Sequence, residues 1–172
     1  MYKFLSVSKP MVRLLGSGAI LNECLKAHEI LKQFDISSEV WSVTSFNMLR
    51  KDGMEIENAN LKNPSKTPQA SYVEQLFAHE NIPAVAATDY MRAYAEQIRP
   101  FVKGTYFTLG TDGFGRSDSR KKLREYFEVD ANNIAATAAY ALLQDQTIDK
   151  KQVGKIYEKL GINKDKSSPW VQ

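Results

Sequence analysis

"LGTDGFGRSDSRKKLREYFEVDANNI", residues 109–134, is the stretch on which the fold turns. It leaves the end of a β-rich run, "TYFTLG" (105–110), crosses glycines at Gly110, Gly113 and Gly115, and enters a basic helical pattern. A strand, a glycine turn and a capped helix in that order belong to a sheet whose strands alternate with helices. The helix is expected over Asp118–Phe127, with Ser117 or Asp118 as its cap and Asp118 at the positive end of its dipole. Leu123, Tyr126 and Phe127 fall on one side as its buried stripe. Arg116, Arg120, Lys121, Lys122 and Arg124 make the segment basic. Such a run is ordinarily a solvated face; the alternative is a docking surface for an acidic partner or for another part of a larger enzyme.

The same alternation extends in both directions. "YKFLSV" (2–7) reads as an edge strand, "MVRLLG" (11–16) as a second strand, and "GAILNECLKAHEILKQF" (18–34) as a helix with Leu21, Cys24, Leu25, His28 and Leu31 on one face. "SEVWSVTS" (38–45) is a third strand, of nearly continuous β-formers that suit a sheet covered on both sides. "SFNMLRKDG" (45–53) predicts a short helix stopped by Gly53, and "MEIENANLKNPSKTP" (54–68) a polar loop. A helix is expected from Gln69 to His79, a fourth strand at Pro83–Ala87, and a helix ending near Pro100. "TYFTLG" supplies the fifth strand, and helices at Asn132–Leu143 and Lys150–Leu160 finish the pattern. The tail is expected to be loosely held unless Trp170 docks.

At 172 residues, 43% hydrophobic and 25% charged, the chain is expected to form one soluble domain with its own core. No apolar run is long enough to span a bilayer, and "MYKFLSVSKP" lacks the pattern of a secretory leader. The single cysteine, Cys24, fits a reducing cytoplasm. A net charge of +3 without interleaved aromatics gives no footing for nucleic acid.

Four motifs invite chemistry. "LLGSGAIL" places Gly16 and Gly18 at the first two positions of a dinucleotide fingerprint, but Leu21 stands where the third glycine allows close helix packing. The next strand also lacks the acid that would hold ribose, so a tight structural turn is the better reading. Asp112-Gly113 followed by Asn132-Asn133 imitates the Asp and Asn that hold magnesium and diphosphate in thiamine diphosphate enzymes. Thr111 replaces the leading glycine, the 18 intervening residues are too few, and Asp130 marks the asparagines as a helix start. Cys24 and His28 have metal-ligand spacing but lie on an apolar stripe, and two ligands do not make a zinc site. His79 suits a helix end, and Asp89 a helix cap. No complete catalytic constellation appears, so no catalytic, cofactor-binding or metal residue is assigned.

The strings "VRLLGSGAIL", "SEVWSVTSFNMLRKDG", "PAVAATDYMRAYAEQIRPFV" and above all "TDGFGRSDSR", followed by "IDKKQV", resemble the C-terminal domain of homodimeric-type, acetyl-transferring pyruvate dehydrogenases. More remotely, Phe114–Leu123 is similar to the matching turn of transketolases. The resemblance covers nearly the whole chain. It implies a three-layer α/β/α sandwich with a mixed five-stranded sheet whose first strand is antiparallel. The short link at Pro10 favours an antiparallel or non-adjacent first strand, because parallel neighbours need a long crossover.

For function, the resemblance implies a piece, residues 1–172, of a larger multi-domain cytoplasmic enzyme. That enzyme decarboxylates pyruvate on thiamine diphosphate, with magnesium, and reductively acetylates lipoyl groups; this domain alone would bind neither cofactor and be inactive. Its expected partners are the preceding domains, a second protomer in the full-length homodimer, and the lipoyl acetyltransferase component. The expected interface is Gly113, Gly115, Arg116, Ser117, Asp118, Arg120, Lys121, Lys122 and Arg124, with Arg116 and Asp118 paired inside the assembly. A free-standing nucleotide binder using Gly16–Gly18, and a docking module using the basic helix, stand as alternatives.

Overall fold

The computed structural model describes residues 1–78 and 81–171, with Trp170 described in its backbone only. His79 and the side chain of Trp170 therefore lie outside the described residues. Five strands form one sheet in the order β1-β3-β2-β4-β5. They are β1 (Tyr2–Leu5), β2 (Val12–Ser17), β3 (Ser38–Val43), β4 (Ala84–Ala87) and β5 (Tyr106–Leu109). β1 pairs antiparallel with β3, with a bulge between Lys3 and Leu5. The remaining pairs are parallel. This is the mixed sheet with an inverted first strand that the sequence predicts.

Alternation along the strands divides the core in two. Val12, Leu14, Val40, Val85 and Leu109 face one layer, made by α1 (Leu21–Lys32), α6 (Ala131–Gln144) and α7 (Lys150–Leu160). Leu15, Trp41, Val43, Ala84 and Ala86 face the other, made by α2 (Phe46–Lys62), α3 (Tyr72–Leu76) and α4 (Arg92–Glu96). α5 (Arg120–Tyr126) lies at the margin of the first layer and has no fully buried residue. Both sheet faces are thus covered, as near-continuous apolar strands require.

Gly16 serves the close packing that a dinucleotide fingerprint assigns to its third glycine: a Cβ there would sit 2.6 Å from Leu21 Cα. The objection to Leu21 is thereby corrected, since its backbone does approach the strand closely. Beneath the second layer runs a buried ionic chain. Glu39 Oε1 accepts from Arg13 Nε and Trp41 Nε1, each at 2.9 Å, and Lys3 Nζ lies 2.6 Å from Oε2. Lys3 thereby ties the edge strand to the interior.

The largest departure from the sequence pattern is α2. Gly53 does not stop it; the helix runs on to Lys62, 17 residues in all. A Cβ at Gly53 would fall within the ring of Phe101, so this glycine admits a side chain rather than breaking a helix. Beyond it, Met54, Glu55, Glu57, Leu61 and Lys62 are good helix formers. The polar loop is therefore confined to the residues after Asn63, where Asn60 pins it by a pair of bonds with the backbone of Gln69. α3 is shorter than expected because Ser71 and Glu74 form a capping box that fixes its start at Tyr72.

Candidate functional site

The glycine turn after β5 is clamped at its base. Gly110 passes so close to α4 that a Cβ would lie 2.7 Å from the Tyr90 carbonyl oxygen and 2.6 Å from the Arg92 nitrogen. Thr111 N donates to Tyr90 O at 2.9 Å, and its hydroxyl donates to Asp89 O at 3.1 Å. Asp112 Oδ1 accepts from Arg92 N at 3.2 Å, while Oδ2 lies 3.4 Å from Arg92 Nε. Asp112 thus caps α4 from another element. The expected cap, Asp89, does not fill that role: it precedes the first helical amide by too much, and its carboxylate faces Gly18 instead.

Beyond this clamp the chain turns outward. Residues 113–120 are all exposed, and Phe114 is 81% exposed. Gly113 has φ 105°, a conformation glycine adopts without strain, while nothing approaches Gly115. Arg116 stacks over Tyr126, 4.3 Å from its ring centroid, and Ser117 is exposed. Asp118 Oδ1 accepts from Ser119 N at 2.6 Å. The cap of α5 is Ser119, whose hydroxyl accepts from Lys122 N; neither Ser117 nor Asp118 has that position. The helix starts two residues later than expected, because Ser119 takes the extended backbone a cap needs.

The basic residues split into two groups. Arg120, Lys121 and Lys122 are exposed. Arg124 turns inward and lies 2.8 Å from the buried carboxylate of Glu23, which also receives Lys26 at 2.8 Å and Ala131 N at 3.2 Å. The far end of α5 is capped from the tail: Lys166 Nζ donates to the carbonyls of Glu125 and Tyr126, both at 2.8 Å. The expected buried stripe is only half-buried: Leu123, Tyr126 and Phe127 form the inner side, and of the three Phe127 alone packs against the core. Between α5, the start of α6 and the tail lies an open groove of about 1030 Å³. Its buried carboxylate is already matched by protein donors.

The remaining motifs are occupied structurally. Asp112 accepts from the first amide of α4, Asn132 Nδ2 donates to Leu160 O, and Asn133 Nδ2 reaches Asp130, which caps α6. These residues do not converge, so they do not fit a magnesium–diphosphate group. Cys24 is fully buried, and burial pushes its thiol up to about 12. His28 Nδ1 sits 2.9 Å from Ser38 Oγ in the core. Among the described residues no cluster of three or more His, Cys, Asp or Glu could hold a metal. No helix among them is long and apolar enough to cross a membrane.

Sequence reasoning passed over Phe114, Tyr90 and Met91, which the structure leaves exposed at the carboxyl end of the sheet. A signal existed for the first: an aromatic between two glycines has no neighbours of its own to pack on. Tyr90 and Met91 carried none, because they precede a helix whose inward face was unknown.

The family model of the transketolase-like TK C-terminal domain matches residues 1–130. A protein from Pseudomonas aeruginosa named pyruvate dehydrogenase E1 component is 48% identical over 160 residues, covering 92% of this chain and 18% of that protein. The equally named protein of Escherichia coli is 47% identical over 164 residues, covering 94% and 18%. The chain thus spans about a fifth of the length of these relatives. Among solved structures, a transketolase from Pichia stipitis in complex with a sedoheptulose phosphate superposes with a TM-score of 0.59 at 15% identity, over 86% of this chain and 18% of that one. Transketolase from Leishmania mexicana gives 0.59 at 17%, over 83% and 18%. At those identities the likeness is one of fold, and it is the same fold: five strands, the first inverted, between two helical layers. The chain belongs to the transketolase-like C-terminal domain family.

Proposed function

We propose that this chain is the C-terminal assembly domain of a pyruvate dehydrogenase first component, a single domain of a larger multi-domain enzyme. The observation that carries the reading is the 48% identity along 92% of the chain to a protein of that name. The whole enzyme would be cytoplasmic and homodimeric, decarboxylate pyruvate with thiamine diphosphate and magnesium, and acetylate lipoyl groups of an acetyltransferase partner. This domain would contribute no ligand to either cofactor. Asp112, Asn132 and Asn133 are each engaged in holding helices in place, which supports that assignment. A separate nucleotide-binding role has no support at the Gly16–Gly18 turn, where the Asp89 carboxylate lies beside Gly18 and opposes a phosphate.

In this reading the segment of Gly113, Gly115, Arg116, Ser117, Asp118, Arg120, Lys121 and Lys122 faces the remainder of the enzyme, while Arg124 acts within the domain. The test is a swap. The Escherichia coli relative, with its matching region replaced by this chain, is expected to assemble and oxidise pyruvate at a rate within about tenfold of the parent's, a loss of less than ~1.4 kcal/mol in transition-state stabilisation. A swapped enzyme that folds but neither assembles nor turns over would overturn the reading.

A further inference from the structure

Among the described residues, Tyr72, Tyr140 and Val171 are exposed singly, and the other exposed large apolar side chains fall in three places. Tyr2 and Phe4 lie on the β1 edge, which its bulge already protects. Met48, Met54 and Leu61 are spread along α2. At the carboxyl end of β4 and β5 they are carried by two segments whose bases are clamped to each other. There Tyr90 is 58% exposed, Met91 48% and Phe114 81%. Tyr90 is held edge-on to Tyr94 with ring centroids 4.5 Å apart. Thr111 and Asp112 fix the base of the loop to the same segment.

We propose that Phe114, on the loop clamped to the segment that carries exposed Tyr90 and Met91, is the anchor by which this domain docks on the remainder of its own enzyme's polypeptide, at an apolar socket rimmed by carboxylates. The inference rests on the proposed function and names its surface. A large exposed aromatic is the type of residue that dominates an interface, and the bonds of Thr111 and Asp112 fix the base of the loop that presents it. The rim sets the partner's charge. Arg116, Arg120, Lys121 and Lys122 stand around the turn against Asp89 and Asp118, so acidic groups complement it. The same rim disfavours a second copy of this chain. A two-fold contact would set like charges against each other. Relatives of which this chain spans about a fifth supply the polypeptide that the surface needs.

Hydrogen exchange of residues 110–118 tests the proposal, measured in this chain alone and in the swapped Escherichia coli enzyme. Exchange is expected to slow by about tenfold or more on assembly. Phe114→Ala in the swapped enzyme should return the segment to the rate of the isolated chain, whereas Leu61→Ala should leave it protected. Both side chains are exposed, so neither change threatens the fold. An assembled, active enzyme whose segment exchanges as fast as in the isolated chain would overturn the surface while sparing the proposed function. A swapped enzyme that does not assemble would end both. Protection that appears in the isolated chain with rising concentration would make the occupant a second copy and overturn the proposal.

Discussion

Gly53 shows how one residue misleads when its partner is distant. Its place in an exposed helical pattern suggests that alanine would stabilise the helix by about 1 kcal/mol. The ring of Phe101 occupies the space where the methyl would go. Gly53→Ala is therefore expected to destabilise the fold by ~1–3 kcal/mol, the usual cost of overpacking. Urea unfolding reads this directly, and Phe101→Leu in the same chain should recover part of the loss. Stabilisation by the single change would show that Phe101 moves aside freely. Cys24 offers a second residue-level expectation, with its sign fixed by burial. The thiol is held protonated up to about 12 in the fold, against ~8.5 in an unfolded chain. The stability this contributes is complete below about pH 8.5 and is lost as pH rises from there toward about 12. Cys24→Ala should flatten the alkaline limb of a stability–pH curve. It should do so only in part, because burial also raises Tyr106 and Tyr157.

At the scale of elements, strands were legible and helix limits were not. Val12–Leu15, Val40–Val43 and Val85–Ala87 announce themselves because strand residues buried on both faces are nearly all apolar, with Arg13 and Ser42 the exceptions. α7 was also legible to the residue, since Asp149 caps its start and Gly161, with φ 65°, closes it. α2 and α4 were less so, because their limits are set by contacts from elsewhere: Phe101 beside Gly53, and Asp112 on the first amides of α4. The basic helix was found, but its division into inward Arg124 and outward Arg120, Lys121 and Lys122 depends on Glu23, about a hundred residues away. α5 itself is fastened by charge more than by burial, and Lys166 closes its last turn. Lys166→Ala should speed hydrogen exchange across Arg120–Phe127 while leaving β2 and α1 unchanged. Equal loosening of β2 would mean the tail supports the whole domain.

The molecule as a whole closes late in its own sequence. The family match ends at residue 130, yet Ile134, Ala135, Ala138, Ala139 and Leu142 of α6 are buried in the first core layer. A chain ending at Asp130 would expose Val85 and Leu109, on the strands that α6 covers, to water on that side. Such a chain is expected to lose cooperative urea unfolding, as followed by circular dichroism. A retained sigmoidal transition of undiminished midpoint would show α6 to be dispensable. The strand order carries a consequence for synthesis on the ribosome. β2 sits at the centre of the sheet, with β3 on one side and β4 on the other. A nascent chain emerging from its N-terminal end can offer β2 its first parallel neighbour after residue 43, but its second only once residue 87 has appeared. Until then one edge of the central strand stands open, and the apolar face beneath α6 stays bare for longer still. The central strand, made early, thus waits for much of the chain before it is enclosed, and translation speed between residues 43 and 144 sets how long chaperones must shield it.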